Sequence, residues 1–192
     1  MTTPSKPDRR VRLGAESFSL LGRVPRVGEQ APDFELAFTR ADPERSEDAA
    51  WQPPRMKTVN LSSFQRRRKI LNIFPSIDTP VCAKSVLRFE SHARAYPQDA
   101  MLMISADLPF ALQRFCGDHK LRNVFTLSLM NQSRFALDYG VLIADGPWNG
   151  LCARACIVIG HDDRILHSEL CENIEDEPDY QAALAALDSA AA

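Results

Sequence analysis

One cysteine of this sequence stands where a thiol could act as a nucleophile. Cys82 follows an apolar run that ends at Phe74, and a helical pattern begins at Pro80, so we expect it where a buried strand turns into a helix. N–H groups in a helix's first turn lack intrahelical partners, and the helix dipole favours negative charge there. Such a position stabilises a thiolate, the reactive form. A lone cysteine is more often a small buried hydrophobe, so position alone leaves both interpretations open.

Other residues near Cys82, and one far from it in sequence, suit the same chemistry. Thr79, three residues earlier, brings a hydroxyl that could hydrogen-bond the sulfur or its target. Pro75 and Pro80 stiffen the connecting loop, and Pro80 suits the first position of a helix. Arg154 interrupts an otherwise apolar strand, which favours a buried role over a surface salt bridge. Its guanidinium carries a permanent charge and several N–H donors in a fixed fork, so it can stabilise a thiolate.

The chain has four further cysteines. Cys116 lies on a predicted helix and by itself is best explained as a core thiol of the helix face. Cys152 and Cys156 would share one strand face with Arg154 by alternation. We interpret them as buried small hydrophobes, because residues four apart in one strand lie too far apart to form a second redox pair. Cys171 follows the last predicted strand and is expected to be exposed.

Composition limits the classes of function. At 192 residues and 45% hydrophobic content the chain is about one domain with a real core. The 23 basic and 25 acidic residues indicate no nucleic-acid partner, and we interpret the basic cluster at 66–69 as a solvated turn. Scattered histidines without a Cys-x-x-Cys motif predict no metal and no cofactor. No run is long enough to span a membrane and Met1–Arg12 is no secretory signal, so we expect a cytoplasmic protein.

Buried runs alternate with helical patterns from residue 69 onward, which predicts an α/β fold with a sheet covered on both faces. Residues 1–12 are expected to be a disordered tail, residues 13–192 one domain, and residues near 40–56 an exposed insertion. The predicted strands cover 17–21, 69–74, 100–105, 124–128, 153–159 and 164–170, and the predicted helices 80–96, 109–119, 133–139 and 179–186.

From Val27 to the C-terminus the sequence resembles the thiol peroxidase branch of the peroxiredoxins, the bacterial atypical two-cysteine type. The resemblance is specific because its blocks recur in order and with family-like spacing. The blocks are Gly28-Glu29-Gln30-Ala31-Pro32-Asp33-Phe34, Leu71 to Cys82, Ile104 to Ala111, Arg114-Phe115-Cys116-Gly117, Tyr139-Gly140-Val141, Ile143 to Pro147, Gly150-Leu151 and Ala153-Arg154-Ala155.

The resemblance implies a thioredoxin-like fold of the peroxiredoxin type, with a central mixed sheet flanked by helices and an N-terminal β-hairpin. It also implies a homodimer that reduces hydrogen peroxide and alkyl hydroperoxides with electrons from thioredoxin. Cys82 matches the peroxidatic cysteine and Cys116 the resolving cysteine. Thr79 and Arg154 match the residues that bind and polarise the peroxide, and Pro75 matches the proline that shields the pocket.

Three departures from the family pattern concern regions outside these positions. The insertion near 40–56 and the N-terminal tail are longer than usual, and Cys152 and Cys156 replace small apolar residues.

Cys116 follows Cys82 by 34 residues on the next predicted helix, and the two helices could lie on opposite sides of the sheet. A disulfide needs Cα atoms about 4.4–6.8 Å apart. We therefore expect that the reduced form holds the two thiols apart and that the segments around Cys82 and Cys116 unwind locally on oxidation.

Two other functions compete with the peroxidase. A thiol-disulfide oxidoreductase on the same fold would carry Cys-x-x-Cys at the helix start, whereas Ala83, Lys84 and Ser85 follow Cys82. A non-catalytic binding or chaperone-like protein would not need Thr79, Cys82 and Arg154 together. Peroxide consumption by the wild-type chain and by Cys82→Ser separates these alternatives.

Overall fold

The structure is a computed structural model that describes residues 9–39, 55–130, 132 and 134–189. The strands are β1 (Arg10–Leu13), β2 (Glu16–Leu21), β3 (Leu36–Phe38), β4 (Lys57–Val59), β5 (Lys69–Ile73), β6 (Ala100–Ser105), β7 (Phe125–Ser128), β8 (Leu142–Ile143), β9 (Ala155–Ile159) and β10 (Ile165–Leu170). The α-helices are α1 (Pro80–Ala95), α2 (Pro109–Asp118), α3 (Arg134–Asp138) and α4 (Tyr180–Ser189), and short 3₁₀ helices cover Leu61–Phe64 and Gly146–Trp148. Every strand and helix predicted above is present, with ends shifted by up to three residues.

A seven-stranded mixed sheet forms the centre of the molecule, in the order β10-β9-β5-β6-β7-β3-β4. Strands β5, β6 and β7 run parallel, and the outer strands pair antiparallel to their neighbours. The residues of β5, β6 and β9 are all buried, as expected for strands covered on both faces. The predicted α/β class and the central mixed sheet are therefore confirmed.

Helices α1, α2 and α4 lie on the same face of this sheet. Val86 and Phe89 of α1, Phe115 of α2 and Ala183 of α4 belong to one apolar core, which also contains Cys82. Both crossovers, from β5 to β6 and from β6 to β7, lead to the next parallel strand in the same direction. Right-handed connections of this kind place their helices on one side. The two helices that carry Cys82 and Cys116 are thus on the same side, and the alternative of opposite sides is excluded.

The N-terminal hairpin is built from β1 and β2 and forms a second sheet in the order β1-β2-β8. Strand β1 begins at Arg10, so the last residues of the expected tail belong to the hairpin, while residues 1–8 lie outside the described residues. The strand is ordered because Val11 is fully buried and packs with Phe18 and Ile174 in a core of its own. Most of the predicted insertion near 40–56 also lies outside the described residues.

The basic cluster at 66–69 is not a simple solvated turn. Arg68 is 5% exposed and makes two hydrogen bonds of 2.8 and 2.9 Å with the carboxylate of Asp99. Lys69 is fully buried at the start of β5 and pairs with Asp163. The interpretation failed because β5 is an interior strand of the sheet, so its first residues are covered, and each of these two buried cations is compensated by a carboxylate. Within the described residues, no helix is long and apolar enough to cross a membrane.

Candidate active site

Cys82 lies in the first turn of α1, as the sequence predicts. Thr79 is the N-cap residue and Pro80 occupies the first helical position, so Cys82 is the third residue of the helix. Helix α1 follows the segment 75–79, here called the Cys82 loop, which connects it to the buried strand β5. The sulfur is completely buried and packs with Phe74, Ile77 and Val86. Its backbone N–H and that of Val81 lack intrahelical partners, which favours negative charge at this end of the helix.

The guanidinium of Arg154 donates a hydrogen bond from Nη2 to the Cys82 sulfur, with a distance of 3.2 Å. Arg154 is 1% exposed and directly precedes β9. The sequence predicts it inside this strand, whereas the observed strand begins one residue later, at Ala155. Its Nη1 is buried and has no hydrogen-bond partner among the described residues. A permanent positive charge and a free N–H donor therefore lie beside the sulfur. A surface salt bridge, the alternative for this residue, is excluded by its burial.

The N-terminal hairpin helps to orient Arg154. The guanidinium Nε donates to the Ile174 carbonyl at 2.9 Å. The segment that carries this carbonyl pairs with β1, because Arg12 N donates to the Glu172 carbonyl and Ile174 N donates to the Arg12 carbonyl, both at 2.8 Å. Two backbone bonds from the hairpin thus fix the acceptor on which the arginine rests. Sequence reasoning missed this contribution because β1 was assigned to a tail.

Pro75 and Thr79 are the first and last residues of the Cys82 loop, which precedes the helix that carries Cys82. The hydroxyl of Thr79 donates to the Ser76 carbonyl at 3.1 Å rather than to the sulfur. Its oxygen lone pairs remain available to accept a hydrogen bond from a bound molecule, the second option that the sequence left open. Thr79 is half-buried, whereas Pro75 is buried at the beginning of the loop.

A buried polar chain fixes the first turn of α1 to the sheet. Ser85 Oγ donates to the Cys82 carbonyl at 2.8 Å and accepts a hydrogen bond from Asn72 Nδ2 at 2.9 Å. Both residues are completely buried. Sequence reasoning did not select them, although a single Asn inside the apolar strand β5 was a visible signal. The chain holds the backbone of Cys82 in place beneath the sulfur.

Cys116 lies on α2, as predicted, and its thiol is 3.6 Å from the hydroxyl of Thr126 at the start of β7. Burial is the largest effect on the thiol and raises its pKa, while the contact with Thr126 lowers it. Cys82 is the third residue of α1 and Cys116 the eighth of α2. Cys116 is therefore about 7.5 Å further from the start of its helix than Cys82 is from the start of α1. All five cysteines are free thiols, so the structure is the reduced form.

The other three cysteines are buried, as predicted for Cys152 and Cys156 but not for Cys171. Cys171 is only 5% exposed, contrary to the prediction. Its N–H donates to the Arg154 carbonyl at 3.0 Å, so it continues the pairing of β9 and β10 by one residue. Cys152 packs in the core on the opposite face from Cys156. The two residues do not share a strand face because β9 begins only at Ala155, so Cys152 lies outside the strand. Burial raises the pKa of Cys152 and Cys171 to about 12 each, and that of Cys156 still further, which makes all three unreactive thiols at neutral pH.

A thioredoxin-like fold with a reduced, arginine-bound cysteine in the first turn of a helix defines a class of thiol-dependent redox proteins. Comparisons with known proteins give the family. The Redoxin family model matches residues 26–184. Thiol peroxidases of Mycobacterium bovis and Mycobacterium tuberculosis are 42% identical over 177 residues, which is 92% of this chain and 97% of theirs.

Solved structures agree with the sequence comparison. The thiol peroxidase of Chromobacterium violaceum is similar with a TM-score of 0.76 and 26% identity, covering 95% of this chain and 97% of that one. A peroxiredoxin-like protein of Aquifex aeolicus is similar with a TM-score of 0.78 and 27% identity, over 94% and 96% of the two chains. The chain belongs to the Redoxin family, in the thiol peroxidase branch of the peroxiredoxins. The predicted family and thioredoxin-like fold are thereby confirmed.

Proposed function

We propose that this thiol peroxidase reduces hydrogen peroxide and organic hydroperoxides through Cys82, with Cys116 as the resolving cysteine and thioredoxin as the final reductant. The observation that carries the proposal is the contact between Arg154 and the Cys82 sulfur, together with the unpartnered Nη1 beside it. The contact stabilises the thiolate, and the free N–H group is a donor for a peroxide oxygen. In this role Thr79 accepts a hydrogen bond from the peroxide and Pro75 shields the pocket from water.

The first step is attack of the Cys82 thiolate on one peroxide oxygen. A sulfur–oxygen bond forms, the O–O bond breaks, and the leaving oxygen takes a proton and departs as water or an alcohol. Cys82 is then a sulfenic acid. Negative charge develops on the leaving oxygen, and a preorganised donor aimed at such charge accelerates reactions by about 10²–10³-fold. Arg154 Nη1 is the donor that we assign to this task.

The second step resets the enzyme. The thiol of Cys116 attacks the sulfenic sulfur of Cys82, a disulfide forms and water leaves. Two thiols of thioredoxin then reduce this disulfide and become oxidised themselves. The raised pKa of Cys116 suits a residue that stays a thiol towards peroxide and reacts only with the sulfenic acid. Because Cys82 is near the start of α1 and Cys116 near the end of α2, we expect both helices to unwind locally before the disulfide forms.

The test is peroxide consumption with thioredoxin, thioredoxin reductase and NADPH, comparing the wild-type chain with Cys82→Ser and Cys116→Ser. Cys82→Ser should be inactive, because no other cysteine has a helix-start position and an arginine partner. Cys116→Ser should consume about one peroxide per chain and then stop, since its sulfenic acid is not resolved. Cys152→Ser is the matched control and should retain wild-type turnover.

Other results would point to the competing functions. Disulfide reductase activity in place of peroxide consumption would support a thiol-disulfide oxidoreductase, and inactivity of the wild-type chain would support a binding protein. Unchanged turnover in Cys116→Ser would remove that residue from the mechanism. The homodimer and the cytoplasmic location stay predictions, and sedimentation of the reduced chain tests the first of them.

A further inference from the structure

The carboxylate of Asp107 joins the Cys82 loop to the end of β6. It accepts hydrogen bonds from Ser76 Oγ, from the Ile77 backbone N–H and from Ser105 Oγ, each 2.7 Å long. The first two donors belong to the Cys82 loop and the third is the last residue of β6. Hydrogen bonds to an ionised carboxylate are roughly twice as strong as neutral ones. One side chain therefore holds the loop that carries the N-cap of α1.

Asp107 also lies directly before α2 in the chain. It stands two residues before Pro109, the first residue of that helix, and its carbonyl accepts a hydrogen bond of 2.5 Å from Ser128 Oγ on β7. On the other side, the Ser76 carbonyl accepts bonds from the N–H and the hydroxyl of Thr79. A continuous series of hydrogen bonds thus runs from β7 through Asp107 and Ser76 to the start of α1.

We propose that Asp107 is a positioning residue that holds the Cys82 loop in the peroxide-reactive conformation and opposes the unwinding that disulfide formation needs. The inference rests on the proposed function, since it concerns the two fates of the Cys82 sulfenic acid. In the first fate Cys116 attacks, a disulfide forms and water leaves. In the second, the sulfenic acid reacts with another peroxide, gains its oxygen to become sulfinic acid, and the peroxide leaves as alcohol or water.

The Asp107 bonds select between these fates. While the carboxylate holds the loop, the sulfur stays in the first turn of α1 near Arg154, where a second peroxide can reach it. Once the bonds break, the loop and the start of α1 are free to unwind towards Cys116. If the hydrogen bonds of Asp107 are weaker, a larger fraction of molecules has an unwound loop and helix start. The rate of disulfide formation then increases in proportion. The rate with peroxide changes little as long as the folded conformation remains the major one.

The experiment is the Asp107→Asn substitution, which keeps the size of the side chain. Asparagine is neutral and its amide accepts hydrogen bonds at one oxygen only, so all three bonds lose the assistance of the carboxylate charge, even where a serine hydroxyl turns to accept from the NH₂ group. We expect disulfide formation after a peroxide pulse to accelerate by about tenfold or more, a change that one such bond accounts for. The fraction of sulfinic acid at a fixed peroxide dose, measured by mass spectrometry, should fall by a similar factor. The initial rate with peroxide should fall by less.

Asp78→Asn is the matched control, because it removes an equal charge from the Cys82 loop itself. Asp78 is exposed, and its carboxylate contacts Arg114 at 3.4 Å. It should leave the rates of disulfide and sulfinic acid formation unchanged, and an effect equal to that of Asp107→Asn would overturn the proposal in favour of a simple charge effect. Ser76→Ala removes one of the three bonds and should give a smaller effect of the same sign. It also provides the test if Asp107→Asn fails to fold.

Hydrogen exchange of the reduced protein gives a readout that does not depend on activity. Amide protection over residues 76–82 should fall in Asp107→Asn and Ser76→Ala but not in Asp78→Asn. Unchanged protection and an unchanged resolution rate would refute the positioning role even in an active peroxidase. A wild-type chain that does not react with peroxide would instead refute the proposed function, and the exchange measurement would still decide the effect of Asp107 on the loop.

Discussion

At the scale of single residues, Arg154 differs from the other buried cations of the described chain. Arg68 and Lys69 each pair with a carboxylate, which is the usual way to compensate a buried charge. Arg154 instead contacts a sulfur and a carbonyl and leaves one nitrogen without a partner. A buried cation without a carboxylate partner is unfavourable in the resting state. It is best explained if Arg154 stabilises negative charge on the Cys82 sulfur and on the leaving peroxide oxygen.

Replacement of Arg154 by Met should therefore impair the reaction with peroxide. Met has a similar length but no charge and no donor, so we expect the second-order rate constant to fall by about hundredfold or more. Alkylation of Cys82 by iodoacetamide at neutral pH should also slow, because the positive charge beside the sulfur is removed. Arg154→Lys should recover part of both rates through its charge. Stopped-flow fluorescence and mass spectrometry measure them.

The control for this prediction is Arg164→Met, which changes an exposed arginine after the β9–β10 turn. It should leave both rates at the wild-type level. If Arg154→Met also reacted at the wild-type rate while keeping the native circular dichroism spectrum, the guanidinium would have no part in the chemistry.

At the scale of elements, the N-terminal hairpin and the segment 172–174 act as one support for the arginine. The acceptor of Arg154 Nε is the Ile174 carbonyl, and β1 holds that segment by backbone bonds at Arg12. The support depends on the backbone of Arg12 and not on its side chain, which is exposed. The two contributions can be separated by mutation.

Arg12→Pro removes the N–H group that donates to the Glu172 carbonyl, whereas Arg12→Ala keeps it. We expect the proline variant to lose about three- to tenfold in the rate with peroxide, the equivalent of one net hydrogen bond. The alanine variant should behave like the wild-type chain. Equal rates in the two variants would show that the hairpin does not orient Arg154.

At the scale of the whole molecule, the sheet topology determines which cysteines can meet. Because both crossovers are on the same side, the segments that carry Cys82 and Cys116 approach each other without passing around the sheet. Cys152 is separated from both of them by the sheet itself. The topology therefore permits a disulfide between Cys82 and Cys116 of one chain once the two helix segments unwind.

Oxidation should accordingly give a monomer-sized band on non-reducing gels, with a mass lower by two hydrogens than that of the reduced chain. Hydrogen exchange should increase near residues 79–86 and 112–119, the first turns of α1 and the last turns of α2, because these are the parts that must unwind. Helix α4, on the same face, should keep its protection and serves as the internal reference. A disulfide-linked dimer that disappears in Cys116→Ser would instead place the resolving contact between subunits.

Much of this protein is determined by local sequence. The alternation of apolar runs and helical patterns predicts the strands and helices because burial on a sheet and on a helix leaves periods that a single segment displays. The helix-start position of Cys82 is a local property too, since Pro80 and the preceding apolar strand define it. The insertion of Arg154 in an apolar run revealed a special residue without revealing its partner.

Only the tertiary structure decided which distant groups meet. The contact between Arg154 and Cys82 joins residues 72 positions apart, and the support from β1 depends on a pairing that no local pattern encodes. The same is true of the buried pairing of Arg68 and Lys69, of the opposite faces of Cys152 and Cys156, and of the three bonds to Asp107. Each follows from where strands and loops come together in space, whereas sequence periodicity reports only which face of its own element a residue occupies.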